Sequence, residues 1–225
     1  MDGLLLYFIA AVLLGFSQIW VQNAYSKYAK VPNDSGLTGA DVARRILEEN
    51  DIYDVEVLTS PGGALSDHYD PRNKTVNLSP DVYGGHSVAS IAVAAHEVGH
   101  AMQHHQGYQA IAIRNNLLPF AQIGSVIGWG ALIIGLASEI SGLTLVGLIA
   151  VGAIALFQLV TLPVEFNAST RAKQQLSALK IADSSEMTGV NKVLTAAAFT
   201  YLAAFLSTVL QVLRLFASTS SRRRD

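Results

Sequence analysis

The chain of 225 residues is 51% hydrophobic and 14% charged, with a formal net charge of −2 and no cysteine. That balance offers no electrostatic argument for a nucleic-acid partner, and it excludes disulfides and thiolate metal ligands while leaving the redox compartment open. Charge is segregated as well as scarce: residues 3–26, 115–138, 140–164 and 193–213 contain no Asp, Glu, Lys or Arg, and each interval reaches the roughly 20 residues that a helix needs to cross a bilayer core.

In chain order, the first apolar interval predicts a membrane anchor over 3–26. Its leading region holds Asp2 where a signal peptide would carry a basic residue, and the apolar run continues through Ile19 and Trp20. This is the pattern of a retained anchor. Residues 27–114 then form a membrane-proximal α+β module, within the polar stretch that carries all six histidines. Thr38 is a helix cap, and Val42, Ile46 and Leu47 recur at helical spacing, predicting an amphipathic helix to about Glu49. Val55 to Leu58 and Thr75 to Leu78 read as short strands, separated by turns at Pro61-Gly62-Gly63 and Asp70-Pro71-Arg72-Asn73. The second strand is expected to align an extended peptide along its edge. From about Ser87, the residues Val88, Ile91, Ala92, Ala95 and Val98 mark a helix ending near Gly107.

Beyond it, 115–164 predicts a transmembrane hairpin, whose Gly124 and Gly128 are a GxxxG pair expected to pack closely. Residues 165–192 predict a helical segment to Leu179, with Asp183 and Glu186 spaced as a capping box for a later helix. A fourth membrane helix over 193–216 contains Thr200, Ser207, Thr208 and Gln211, which are expected to face protein or water. A basic tail occupies 217–225. The fold class is mainly α: four transmembrane helices with a small α+β module.

The helix from Ser87 contains His96-Glu97-Val98-Gly99-His100. Histidines four apart share one helical face and can bind one zinc ion, with Glu97 beside the water that the metal activates. A water-activating zinc generally takes three protein ligands and leaves a fourth position open. The motif HExxHxxGxxH would supply its third ligand from the same helix, but Gln103 and Gln106 stand where it needs glycine and histidine. His104 and His105 are thus poorly placed for the same ion, and His104 is expected behind the ligands or in solvent. A distant carboxylate is the other solution. Two crossings between 115 and 164 return the chain to the side of HEVGH, and Glu165 emerges there, where a carboxylate at the end of an apolar span is costly without a role. Glu165 is the predicted third ligand, and Glu139, in the opposite connection, its weaker competitor.

With these residues, the chain resembles the membrane-embedded neutral zinc metallopeptidases of the YugP type. The resemblance runs through the N-terminal anchor, Asp67-His68-Tyr69-Asp70-Pro71-Arg72, Leu78-Ser79-Pro80-Asp81-Val82-Tyr83, His96 to Ala101 and Pro163-Val164-Glu165-Phe166. The zinc site is similar to that of HtpX-type membrane proteases and, more remotely, of thermolysin-like gluzincins, where a glutamate on a later helix completes it. The resemblance implies Zn2+, peptidase activity and Glu165 as ligand. Those relatives usually place an aspartate four residues after the ligand glutamate, where it can orient the first histidine. Here that position is Ser169, so the support of His96 falls to Ser169, Asn167, a backbone carbonyl or water.

The expected function is an integral-membrane zinc metallopeptidase acting at the membrane boundary on membrane or membrane-proximal polypeptides. Glu97 takes the proton of the attacking water and delivers it to the leaving amine. His68, Tyr69, Tyr83, Tyr108 and Arg171 are open candidates for the oxyanion donor. The alternative is a zinc-binding membrane scaffold or metal-handling protein without hydrolysis, which has no need of a base and would normally close its site with a fourth ligand. Lys27, Lys30, Arg114, Arg171, Lys173, Lys180 and Lys192 flank one side and Arg214 and Arg222 to Arg224 the other, an excess that places the active site on the cytoplasmic face.

Overall fold

The protein is described by a computed structural model over residues 3–63 and 65–222; Asp2, Arg223 and Arg224 lie outside the described residues. The elements run α1 (Gly3–Tyr28), α2 (Gly39–Glu49), β1 (Glu56–Thr59), β2 (His68–Asp70), β3 (Thr75–Leu78), α3 (Pro80–Tyr83), α4 (Val88–His105), α5 (Gln109–Ala137), α6 (Ser141–Ala178) and α7 (Ser184–Arg222). The chain is mainly helical, and four helices, α1, α5, α6 and α7, are long and apolar enough to cross a membrane. Two units are distinct. One comprises the described parts of Met1–Gln18, Ile113–Leu162 and Phe199–Asp225, and the other Ile19–Ala112 and Pro163–Ala198.

The first unit turns large apolar side chains outward: Val126 is 78% and Ile149 65% exposed. Apolar surface on that scale is stable against lipid and costly against water. The α5–α6 hairpin packs through glycine, since a Cβ on Gly128 would stand 2.6 Å from the Ala150 Cβ and one on Gly147 2.5 Å from the Leu132 nitrogen. Gly124 has open space instead. Ser207 and Thr208 face protein, Ser207 donating to the Ala10 carbonyl at 3.2 Å and Thr208 to the Ala204 carbonyl of its own helix at 3.0 Å.

In the second unit, Thr38 caps α2 in a reciprocal box with Asp41, which satisfies donors that a helix start leaves unpaired. The apolar face of α2 (Val42, Ile46, Leu47) meets Val76 and Leu78 of β3 and Ile91, Ala95 and Val98 of α4 in one core. Leu176 of α6 and Val190 and Leu194 of α7 complete it. The sheet order is β1-β3-β2, with β3 parallel to β1 and antiparallel to β2.

That order corrects the expectation of a peptide-binding edge at Thr75–Leu78. The strand is central, with Val76 and Leu78 fully buried and both hydrogen-bonding edges taken by neighbours. The partner strand β2 escapes a reading by periodicity because it is three residues long and carries a histidine and an aspartate. Where the sequence separates a span ending at Val164 from a helix beginning at Glu165, the structure has one helix with Pro163 inside it. A proline removes a single backbone donor, and long apolar helices tolerate it when neighbouring groups compensate. Likewise α7 starts at Ser184 on its capping box, Glu186 accepting from the Asp183 nitrogen and Asp183 from the Glu186 nitrogen, each at 2.8 Å.

Candidate metal centre

The helix α4 starts on Ser87, whose hydroxyl accepts from the Ser90 nitrogen, and it buries Val88, Ala89, Ile91, Ala92, Ala94, Ala95 and Val98. His96, Glu97 and His100 lie in its third and fourth turns. Gly99 decides what can approach them: a Cβ there would lie 2.6 Å from the Ala168 carbonyl oxygen of α6. Only a residue without a side chain lets the two backbones come this close. The contact sets Glu165, one turn before Ala168, opposite the histidines.

The predicted ligands meet. Glu165 Oε2 lies 3.3 Å from His96 Nε2 and 3.6 Å from His100 Nε2, and the three donor atoms fall within 4.8 Å of one another. Ligands about 2.0–2.1 Å from a tetrahedral zinc stand about 3.3 Å apart. The donor set, two imidazoles and one carboxylate, is of the type that open zinc sites use. All three side chains are held in protein, Glu165 being 2% exposed. Among the described residues Glu139 belongs to no such group. A second acidic group, Asp34, Asp183 and Glu186, is accounted for by capping, because the Glu186 carboxylate accepts from the nitrogens of Asp34 and Asp183.

Behind the histidines, Ser169 Oγ lies 3.2 Å from His96 Nδ1. Asn167 stands behind the other histidine instead. Its Oδ1 accepts from Arg171 Nε at 2.7 Å and from Gln103 Nε2 at 3.0 Å, and Gln103 Oε1 lies 3.0 Å from His100 Nδ1. Gln103 is fully buried. The sequence reading used it only to reject an extended motif, although its place three residues after His100 on the same helical face was a usable signal.

Glu97 is buried beside the two histidines. Burial pushes its carboxyl up to about 7, the His96 ring pulling it down and the Glu165 and Asp67 carboxylates pushing it further up. Asp67 also ties the loop before β2 to the start of α3, accepting from the Ser79 nitrogen at 2.7 Å. His104 is not part of the three-residue group; its Nδ1 lies 2.7 Å from the hydroxyl of Tyr69. That hydroxyl stays protonated at neutral pH, since burial pushes Tyr69 up to about 12. Of the other oxyanion candidates, Tyr83 accepts from Arg44, Arg171 is engaged by Asn167 and Gln106, and His68 Nδ1 contacts the Ser66 carbonyl.

Comparison with known proteins agrees with this chemistry. Residues 4–220 match the family described as "Putative neutral zinc metallopeptidase". Among curated proteins, the chain is 45% identical over 211 residues to "Putative membrane protease YugP" of Bacillus subtilis (strain 168), covering 92% of each chain. No solved structure matches.

Proposed function

The chain belongs to the neutral zinc metallopeptidase family and is a zinc-dependent hydrolase; from that premise we propose that His96, His100 and Glu165 hold the zinc and that Glu97 is the general base for peptide-bond hydrolysis at the membrane boundary. The observation that carries this reading is the convergence of Glu165 Oε2 on both imidazole Nε2 atoms at 3.3 and 3.6 Å, in a protein-lined site. When bound, the zinc supplies Lewis-acid polarisation of the scissile carbonyl and of the attacking water. Every other part of the reaction falls to side chains.

Glu97 takes a proton from the attacking water and returns it to the leaving amine, so that a poor leaving group departs neutral. Its buried setting supports that role, because a carboxyl pushed up to about 7 can both accept and give a proton near neutrality. His96 and His100 would hold the ion through Nε2, their Nδ1 atoms contacting Ser169 and Gln103 behind them. Three protein ligands leave a position open for chemistry, as a catalytic site requires.

The boundary assignment rests on α6, in which the charge-free run ending at Val164 passes directly into Glu165. Membrane or membrane-proximal polypeptides are the corresponding substrate class. For the detergent-purified protein, one zinc per chain is expected, and metal removal should abolish peptide cleavage, with one equivalent of zinc restoring it. Full cleavage by metal-free protein would remove the reading.

In the sequence, Lys27, Lys30, Arg114, Arg171, Lys173, Lys180 and Lys192 flank the charge-free spans on the side of HEVGH and outnumber Arg214 and Arg222 to Arg224 on the other, an excess that supports a cytoplasmic active site. Because the chain has no cysteine, a single Ser177→Cys at an exposed position of α6 can report on this with a membrane-impermeant maleimide. Labelling is expected only in inverted membrane vesicles. Labelling in intact spheroplasts would reverse the orientation.

A further inference from the structure

The contacts behind His100 form a chain in which every bond has one possible direction. Arg171 Nε can only donate, and it points at Asn167 Oδ1 from 2.7 Å. A backbone carbonyl can only accept, and Val164 O lies 2.8 Å from the Gln103 amide nitrogen. The same nitrogen reaches Asn167 Oδ1 at 3.0 Å. With the NH2 of Gln103 held by two acceptors, its carbonyl oxygen must face His100 Nδ1, 3.0 Å away. Nδ1 therefore carries hydrogen, which leaves Nε2 as the ring atom available to an ion held beside Glu165.

We infer that Gln103 is a positioning residue for the zinc site, fixing the tautomer and orientation of His100 through the polarity that Arg171, Asn167 and the Val164 carbonyl impose on its amide. This rests on the His96, His100 and Glu165 site proposed above. The device also couples two ligands, since Val164 adjoins Glu165: one fully buried side chain holds the imidazole of α4 and the backbone beside the carboxylate of α6. Among the described residues, the partner of His96 Nδ1 is a hydroxyl instead, that of Ser169 at 3.2 Å. A serine hydroxyl both donates and accepts, so Ser169 supports that ring without dictating which nitrogen bears the proton. The site thus has one ligand whose ring orientation is fixed by a directed hydrogen-bond chain and one whose neighbour leaves the direction of the bond open.

The test uses the full-length protein in detergent, with zinc itself as the probe. In the metal-free wild type, the ring 15N shifts of His100 are expected to report hydrogen on Nδ1. Gln103→Met keeps the length of the side chain without a donor or acceptor, and it should move His100 toward the Nε2–H form and weaken zinc binding by about 10–100-fold. Gln103→Glu keeps the acceptor and should restore the Nδ1–H form. A helix-packing role alone would lower the thermal stability of the Met variant without moving the ring shifts. Absence of hydrogen from His100 Nδ1 in the metal-free wild type overturns the inference whether or not either variant folds, as does unchanged zinc affinity in folded Gln103→Met. Wild-type protein that binds no zinc sinks the metal centre along with it, whereas one zinc in the wild type and an indistinguishable Gln103→Met sinks this inference alone.

Discussion

Glu97→Gln is expected to lower kcat for peptide hydrolysis by about 10²–10⁴-fold, the usual worth of a positioned general base, with zinc still bound at one per chain. The side chains are nearly isosteric, so the buried position is refilled without a cavity. The amide cannot accept a proton, and it removes a negative charge that burial already disfavours. The variant should therefore fold at least as stably as the wild type. That combination separates a chemical role from a structural one: loss of zinc together with activity would mean that Glu97 supports the ligands. The check is zinc stoichiometry by elemental mass spectrometry beside cleavage of an unfolded membrane protein. Equal cleavage by wild type and variant would exclude Glu97 as the base.

Glu165→Ala should act at the other end of the same chemistry. The carboxylate is 2% exposed and lies within 3.6 Å of both imidazole Nε2 atoms, so alanine would remove one of the three proposed donors and empty a buried polar position. Expected results are failure to retain zinc through gel filtration and loss of kcat/KM at least as large as in Glu97→Gln. Glu165→Gln is the informative companion, since it keeps one oxygen donor without the charge, and its zinc affinity should fall between the two. Full zinc occupancy in Glu165→Ala would remove Glu165 from the ligand set and return the third position to an open question.

Local features of the chain were legible wherever one element sufficed to express them. Thr38 and Asp41 cap α2 as their spacing foretells, and the apolar positions Val42, Ile46 and Leu47 are buried. The four apolar intervals correspond to four long apolar helices. Strand β3 spans the residues read as a strand, yet its place in the sheet was misread. Nothing local to Thr75–Leu78 says that β1 will pair on one side and the three-residue β2 on the other. Continuity of α6 through Pro163 was hidden for a similar reason, because the sequence marks the change in polarity at Glu165 while the backbone keeps its helical bonds across it.

The proposed metal centre divides along the same line. Periodicity alone put His96 and His100 on one face of α4, and counting charge-free spans was enough to nominate Glu165. Tertiary structure decided the rest: that α6 comes within reach because Gly99 presents no Cβ to the Ala168 carbonyl, that Ser169 falls behind His96 while Asn167 bonds Gln103 and Arg171, and that Gln103 reaches His100. The physical reason is separation along the chain. A helical face is a property of residues three and four apart, whereas the direction of the His100 bond depends on residues more than 60 positions away, whose donors and acceptors acquire an orientation only when the two helices pack.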